Sequence, residues 1–133
     1  MCESSGNRKV GDFCNLEFLL VNLGWNQEAA ERLIHIFLEN VPILCERLES
    51  AAVQGDLSAL KDVLHDIRSS CVLFSGHRCL DQTREIEQFV REYLLKTPVE
   101  SSVIDWHSMS APLNVCLQCM AAELENYLQK KVG

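Results

Sequence analysis

Two features of this chain have residue types and spacing that could do chemistry: His65, and the pair in Cys116-Leu117-Gln118-Cys119. A neutral imidazole is a nucleophile and a proton carrier near neutral pH, and two cysteines three apart could hold a soft metal or form a redox pair. His65 lies in a stretch where Leu57, Leu60, Leu64, Ile67, Cys71 and Phe74 recur at spacings of three and four, which predicts a helix with a bundle seam. Residue 65 is about 100° round from Leu64, beside that seam. Its neighbours one turn away are Lys61, Asp62, Arg68 and Ser69, a small polar stripe on an otherwise apolar helix. Such a stripe either presents the imidazole to a partner or is a solvated flank. Cys116 and Cys119 fall on an inward helical stripe, where cysteine serves as a small hydrophobe. A metal or redox bundle would need further ligands, of which Cys71, Cys79 and His77 are the candidates, and the chain has no second pair at matched spacing. His35, His77 and His107 have no comparable surroundings.

The elements that must position these residues read as helices. From Asn26 to about Val53 the apolar positions Ala30, Leu33, Ile34, Phe37, Leu38, Val41, Leu44, Leu48, Ala51 and Ala52 mark one buried face, and Pro42 predicts a kink within it. Gly55-Asp56 supplies a left-handed stop and an N-cap together, so a tight hairpin leads into the helix of His65, which Gly76 closes. Leu80, Thr83, Ile86, Phe89 or Val90 and Tyr93 form the stripe of a helix from His77 to about Leu95. Ser102 with Asp105 resembles a capping box for a last helix, broken near Pro112, with Val115, Cys116, Cys119, Met120, Leu124, Tyr127 and Leu128 inward. A short helix from about Asn15 to Leu23 closes one end. Strand signals are nearly absent. The expected fold is all-α, an up-down-up-down antiparallel four-helix bundle with a short additional N-terminal helix. Residues 1–14 are expected to be a flexible segment and residues 15–131 a single bundle domain.

Composition narrows the functions such a bundle could have. The chain has 133 residues, enough for one core, with 47% hydrophobic and 23% charged residues, six glycines and three prolines. Its net charge of −7 argues against a nucleic-acid partner. No run approaches the roughly 20 apolar residues that span a bilayer, and the polar start lacks a signal-peptide core, so a cytoplasmic protein without a membrane partner is expected. Seven cysteines, an odd number without an export signal, read as reduced thiols rather than a disulfide framework.

The segment His65-Asp66-Ile67-Arg68-Ser69-Ser70-Cys71-Val72-Leu73-Phe74-Ser75-Gly76 resembles the phosphoacceptor motif of histidine-containing phosphotransfer (HPt) domains. That motif runs His, any residue, Leu or Ile, Lys or Arg, a Gly or other small residue, two more small residues, an apolar residue and a glycine turn. Phe37-Leu38-Glu39-Asn40-Val41-Pro42, then Leu48, Ala51, Gly55-Asp56 and Leu60, are similar to the family's preceding helix and hairpin, and Ile86-Glu87 stands where many members carry Leu-Glu. The resemblance covers about Leu16 to Tyr93. Ser69 departs from the usual glycine, and Ser75-Gly76 shifts the turn glycine by one place.

The resemblance implies a phosphorelay intermediate and phosphocarrier, not an enzyme. His65 would accept a phosphoryl group from the aspartate of one receiver domain and pass it to another, and the partner would supply Mg²⁺. Arg68 would stabilise the phosphoryl oxygens, and Ser69, being small, would allow close approach. By its spacing Glu87 would hold the imidazole nitrogen that does not react, or else is a solvated glutamate; Asp62 is a weaker candidate for that role. Lys61, Arg78, Arg84 and Arg91 could form a rim for an acidic receiver. The expected partners are response-regulator receiver domains and a hybrid sensor histidine kinase, with no cofactor or metal of its own. A free-standing monomer is the expectation. The alternative is a degenerate HPt bundle that binds receivers or a kinase without carrying phosphate.

Overall fold

A computed structural model describes residues 11–95 and 104–132. Five helices follow one another: α1 (Glu17–Asn22), α2 (Gln27–Gln54), α3 (Leu57–Leu73), α4 (His77–Leu95) and α5 (Trp106–Val132). No strand occurs among the described residues. The long helices pack in a ring in which α2 meets α3 and α5, and α4 meets α3 and α5, while α1 lies against α2.

The connections follow from local chemistry. The Asn26 side chain accepts from the Ala29 N–H at 3.0 Å and opens α2. Gly55 ends α2 in the left-handed region at φ 66°, and the Asp56 carboxylate then accepts from the Ala59 N–H at 3.1 Å. Two residues therefore reverse the chain, as expected.

The end of α3 differs from expectation. Ser75, not Gly76, takes the left-handed conformation, at φ 52°. The Gly76 N–H reaches the Cys71 carbonyl at 2.7 Å and the Ser75 N–H the Val72 carbonyl at 3.3 Å, the paired bonds of a Schellman turn. Gly76 leaves room for the Met120 side chain: a Cβ there would lie 2.8 Å from the Met120 Sδ, which would have to shift.

Proline interrupts neither long helix. Pro42 lies within α2, and α5 continues through Pro112, where a break was expected. A mid-helix proline costs about 3 kcal/mol, whereas complete burial of a leucine contributes about 1.5–3 kcal/mol. Leu113 and Leu117, just beyond Pro112, are both fully buried and hold the helix together. At its start, Asp105 accepts from the Ser108 N–H at 3.0 Å and the Ser108 hydroxyl at 2.8 Å, so Asp105 itself is the cap. The expected Ser102 cap lies outside the described residues.

The core runs through Ile34, Leu48, Leu60, Leu64, Ile67, Phe74, Met120 and Leu124, all essentially inaccessible. Phe37 and Phe74 meet at 5.0 Å between ring centroids, and Tyr93 meets Trp106 edge-on at 5.6 Å. Val115, expected inward, is exposed. At one end, α1 buries Leu19 and Leu20, and the Asn15 N–H bonds the Phe74 carbonyl at 3.0 Å. Of the segment expected to be flexible, residues 1–10 lie outside the described residues. Phe13 and Cys14 are tied down: the Phe13 N–H is held by the Glu123 carboxylate at 3.0 and 3.1 Å, and Cys14 is buried.

Candidate functional site

The buried seam of α3 leaves its adjoining face to solvent, and His65 stands exposed on that face. Arg68, one turn on, holds one guanidinium nitrogen 3.2 Å from the His65 Nδ1 and the other 3.3 Å from the Glu87 Oε1 on α4. Glu87 is the better sheltered of that pair, its side chain 16% exposed against 40% for Arg68. Guanidinium only donates hydrogen bonds, so Nδ1 acts here as an acceptor. Ser69 is exposed, and its hydroxyl donates to the His65 carbonyl at 3.2 Å.

A groove of about 470 Å³ runs between α3 and α4 beside the imidazole, lined by Lys61, His65, Arg68, Glu87 and Arg91, with Val90, Leu94 and Leu95 as its apolar part. An exposed nucleophile, one cation at bonding distance and two more on the rim suit an anionic group delivered by a partner surface.

A family model described as the Hpt domain matches residues 32–130. The chain belongs to the Hpt domain family. Over 92% of this chain and 97% of the other, the fold is similar to the crystal structure of the HPT domain from an Hpt sensor hybrid histidine kinase of Shewanella, with a TM-score of 0.71 and 17% identity. A search of curated proteins found no match. The all-α bundle expected from periodicity is thus the Hpt helical bundle. Hpt domains are phosphotransfer modules, phosphocarriers that work with kinases and receiver domains.

Within this Hpt domain the expected site residues fall into two groups. His65, Arg68, Ser69 and Glu87 come together, with Lys61 and Arg91 on the rim. Glu87 reaches the ring through Arg68, which occupies the Nδ1 position a carboxylate was expected to take. Asp62 turns away and lines a groove with Glu46 and Arg47 of α2. Arg78 stacks on the Phe13 ring at 4.9 Å, and Arg84 is exposed without lining the groove. The apolar part of the groove was not anticipated. Leu94 and Leu95, 53% and 81% exposed, lie beyond the last residue of the α4 stripe, and their exposure follows only once the helix is docked.

The Hpt bundle also gathers cysteines that are distant in sequence. The neighbouring Cys71 thiol, burial and the Cys116 thiol push the Cys79 thiol far up. Burial chiefly pushes Cys14 and Cys116 up as well. Such thiols stay protonated and serve as core. Cys116 is buried near the thiols of other helices, while Cys119 is half-buried on its own helix. Among the described residues no group of three His, Cys, Asp or Glu side chains is arranged to hold a metal ion, and no helix is long and apolar enough to cross a membrane.

Proposed function

We propose that this Hpt domain is a phosphorelay intermediate that accepts a phosphoryl group on His65 from a receiver-domain aspartate and passes it to a second receiver. The reading rests chiefly on one observation: His65, at the phosphoacceptor position of the motif, is exposed on α3 with the Arg68 guanidinium 3.2 Å from its ring. A neutral imidazole attacks the acyl phosphate in line, and transfer is mainly positioning and charge neutralisation. The bundle supplies position and the nearby charge of Arg68. The receiver supplies Mg²⁺ and the carboxylate. Ser69 folds its hydroxyl onto the backbone and leaves room for the partner. On this reading the chain works as a cytoplasmic monomer between a hybrid sensor kinase and a response regulator, with no cofactor of its own.

Incubation with a radiolabelled phosphoreceiver and Mg²⁺ tests this. Wild type should become labelled and His65→Gln should not, while the circular-dichroism spectrum and thermal melt of the variant stay within error. Absence of label on both would overturn the relay and leave a helical interaction module. An unfolded His65→Gln would show that the histidine is structural.

A further inference from the structure

We propose that Arg68, anchored by Glu87, acts as a latch on the Nδ1 of His65, holding the ring in a non-transferring state until a docked partner draws the guanidinium away. The phosphoryl steps below rest on the relay reading; the hydrogen bond itself does not.

Arg68 offers only N–H donors, so the 3.2 Å contact requires a lone pair on Nδ1. A neutral imidazole has one ring proton, which must then sit on Nε2. A protonated Nε2 has no lone pair for attack. The reactive tautomer carries its proton on Nδ1, where it would confront the Arg68 N–H donor against donor. Attack through Nε2 therefore requires Arg68 to leave.

The same contact suits the product. The Nε2 lone pair forms the N–P bond, and the bond from phosphorus to the partner's aspartate oxygen breaks, its electron pair leaving as carboxylate. The Nδ1 proton passes to solvent. The ring is then neutral with a lone pair on Nδ1, the acceptor that Arg68 needs. When the phosphoryl group departs, the N–P electron pair returns to Nε2. A proton on Nδ1 lets the ring leave as neutral imidazole; without it the leaving group is an imidazolate. While Arg68 covers Nδ1, water therefore finds a poor leaving group.

Glu87 gives the latch its position. It binds the second arm of the fork from the neighbouring helix at 3.3 Å. The charged groups facing the ring are Lys61 and Arg68 from α3 and Glu87 and Arg91 from α4. Arg68 is the cation that bonds the ring, and its 40% exposure leaves it able to swing from Nδ1 onto the phosphoryl oxygens of an incoming donor.

The test uses the full chain, phosphorylated chemically with phosphoramidate so that no receiver is needed, and followed by ³¹P and ¹H–¹⁵N NMR. The exposed rings of His35 and His77 serve as internal controls. Phospho-His65 should lose phosphate roughly tenfold faster in Arg68→Ala than in wild type, the equivalent of one charge-assisted hydrogen bond. Unphosphorylated His65 should hold its ring proton on Nε2 in wild type and share it between the two nitrogens in Arg68→Ala, read from the ¹⁵N shifts. Glu87→Gln should fall between the two. Arg68→Lys, which keeps the charge but not the fork, should recover less than half of the protection. Equal hydrolysis and equal tautomer populations in wild type and Arg68→Ala would overturn the latch, as would full protection in Arg68→Lys. Failure of receivers to label a chain that shows these differences would count against the relay alone.

Discussion

The Ser69 hydroxyl donates to the carbonyl of His65, 3.2 Å away and one turn back along α3. The bond folds the side chain against the helix, so a serine takes up little more of the approach surface than a glycine would. Bulk at this position should therefore block the partner without touching the fold. Ser69→Trp should keep its stability within about 0.5 kcal/mol, as exposed substitutions do. Phosphotransfer from a receiver should drop by about a hundredfold or more, since displacement of the reacting groups by 1 Å is enough for that loss. The check is a pair of assays: receiver-dependent labelling should fail while phosphoramidate, a small donor, still labels His65.

Stability and transfer should separate along α3. Leu64 and Phe74 are buried to 0% and 1% exposure, and Phe74 meets the Phe37 ring at 5.0 Å. Leu64→Ala should cost about 2–5 kcal/mol and Phe74→Ala about 3–5 kcal/mol in urea unfolding. Both should still accept phosphoryl groups at low temperature in the fraction that remains folded.

How much of this was legible in the sequence depended on whether spacing alone decides the outcome. The Gly55-Asp56 turn and the α3 seam were readable because a left-handed glycine, a carboxylate cap and a three-and-four repeat each have one local solution. Val63, Leu113 and Leu117 were missed from the core because each helix packs on two others and buries a stripe wider than a single seam. Val115 faces solvent because the buried stripe of α5 is centred on Leu113, Leu117, Met120 and Leu124, and residue 115 lies about 200° round from Leu117. His65, Arg68 and Glu87 could be grouped from their positions on α3 and α4. The order of contacts could not, because it depends on the reach of the arginine: Arg68 takes Nδ1, and Glu87 takes Arg68. The thiol contacts among Cys71, Cys79 and Cys116 join residues on three helices, which no local spacing encodes.

The turn after α3 carries backbone strain that can be relieved. Ser75 holds φ 52°, a conformation that costs a residue with a Cβ about 1–2 kcal/mol, partly offset by the greater freedom glycine regains on unfolding. Ser75→Gly should therefore stabilise the bundle by about 0.5–1 kcal/mol. Gly76→Ala should act in the opposite sense, because its Cβ would meet the buried Met120 thioether at 2.8 Å. Crowding of that kind costs about 1–3 kcal/mol. Denaturant midpoints of the two variants should move to opposite sides of wild type.

The cap of α5 should make stability depend on pH at the acid end. Two hydrogen bonds from Ser108, first from its N–H and then from its hydroxyl, hold the Asp105 carboxyl below its usual range. A carboxyl lowered in the folded state binds its proton more readily once unfolded. Its stabilising effect is therefore complete above the unfolded value, about 3.9, and is lost as pH falls through the lower folded value. Asp105→Ala should lower the melting temperature at pH 7, where the cap is fully ionised. As pH falls below about 4 the wild type and variant curves should converge, because protonation removes the same acceptor that the substitution removes. Melting temperatures recorded for both proteins from pH 7 to pH 2.5 would measure this, and a gap that stayed constant over that range would show that the Asp105 carboxylate does not cap α5.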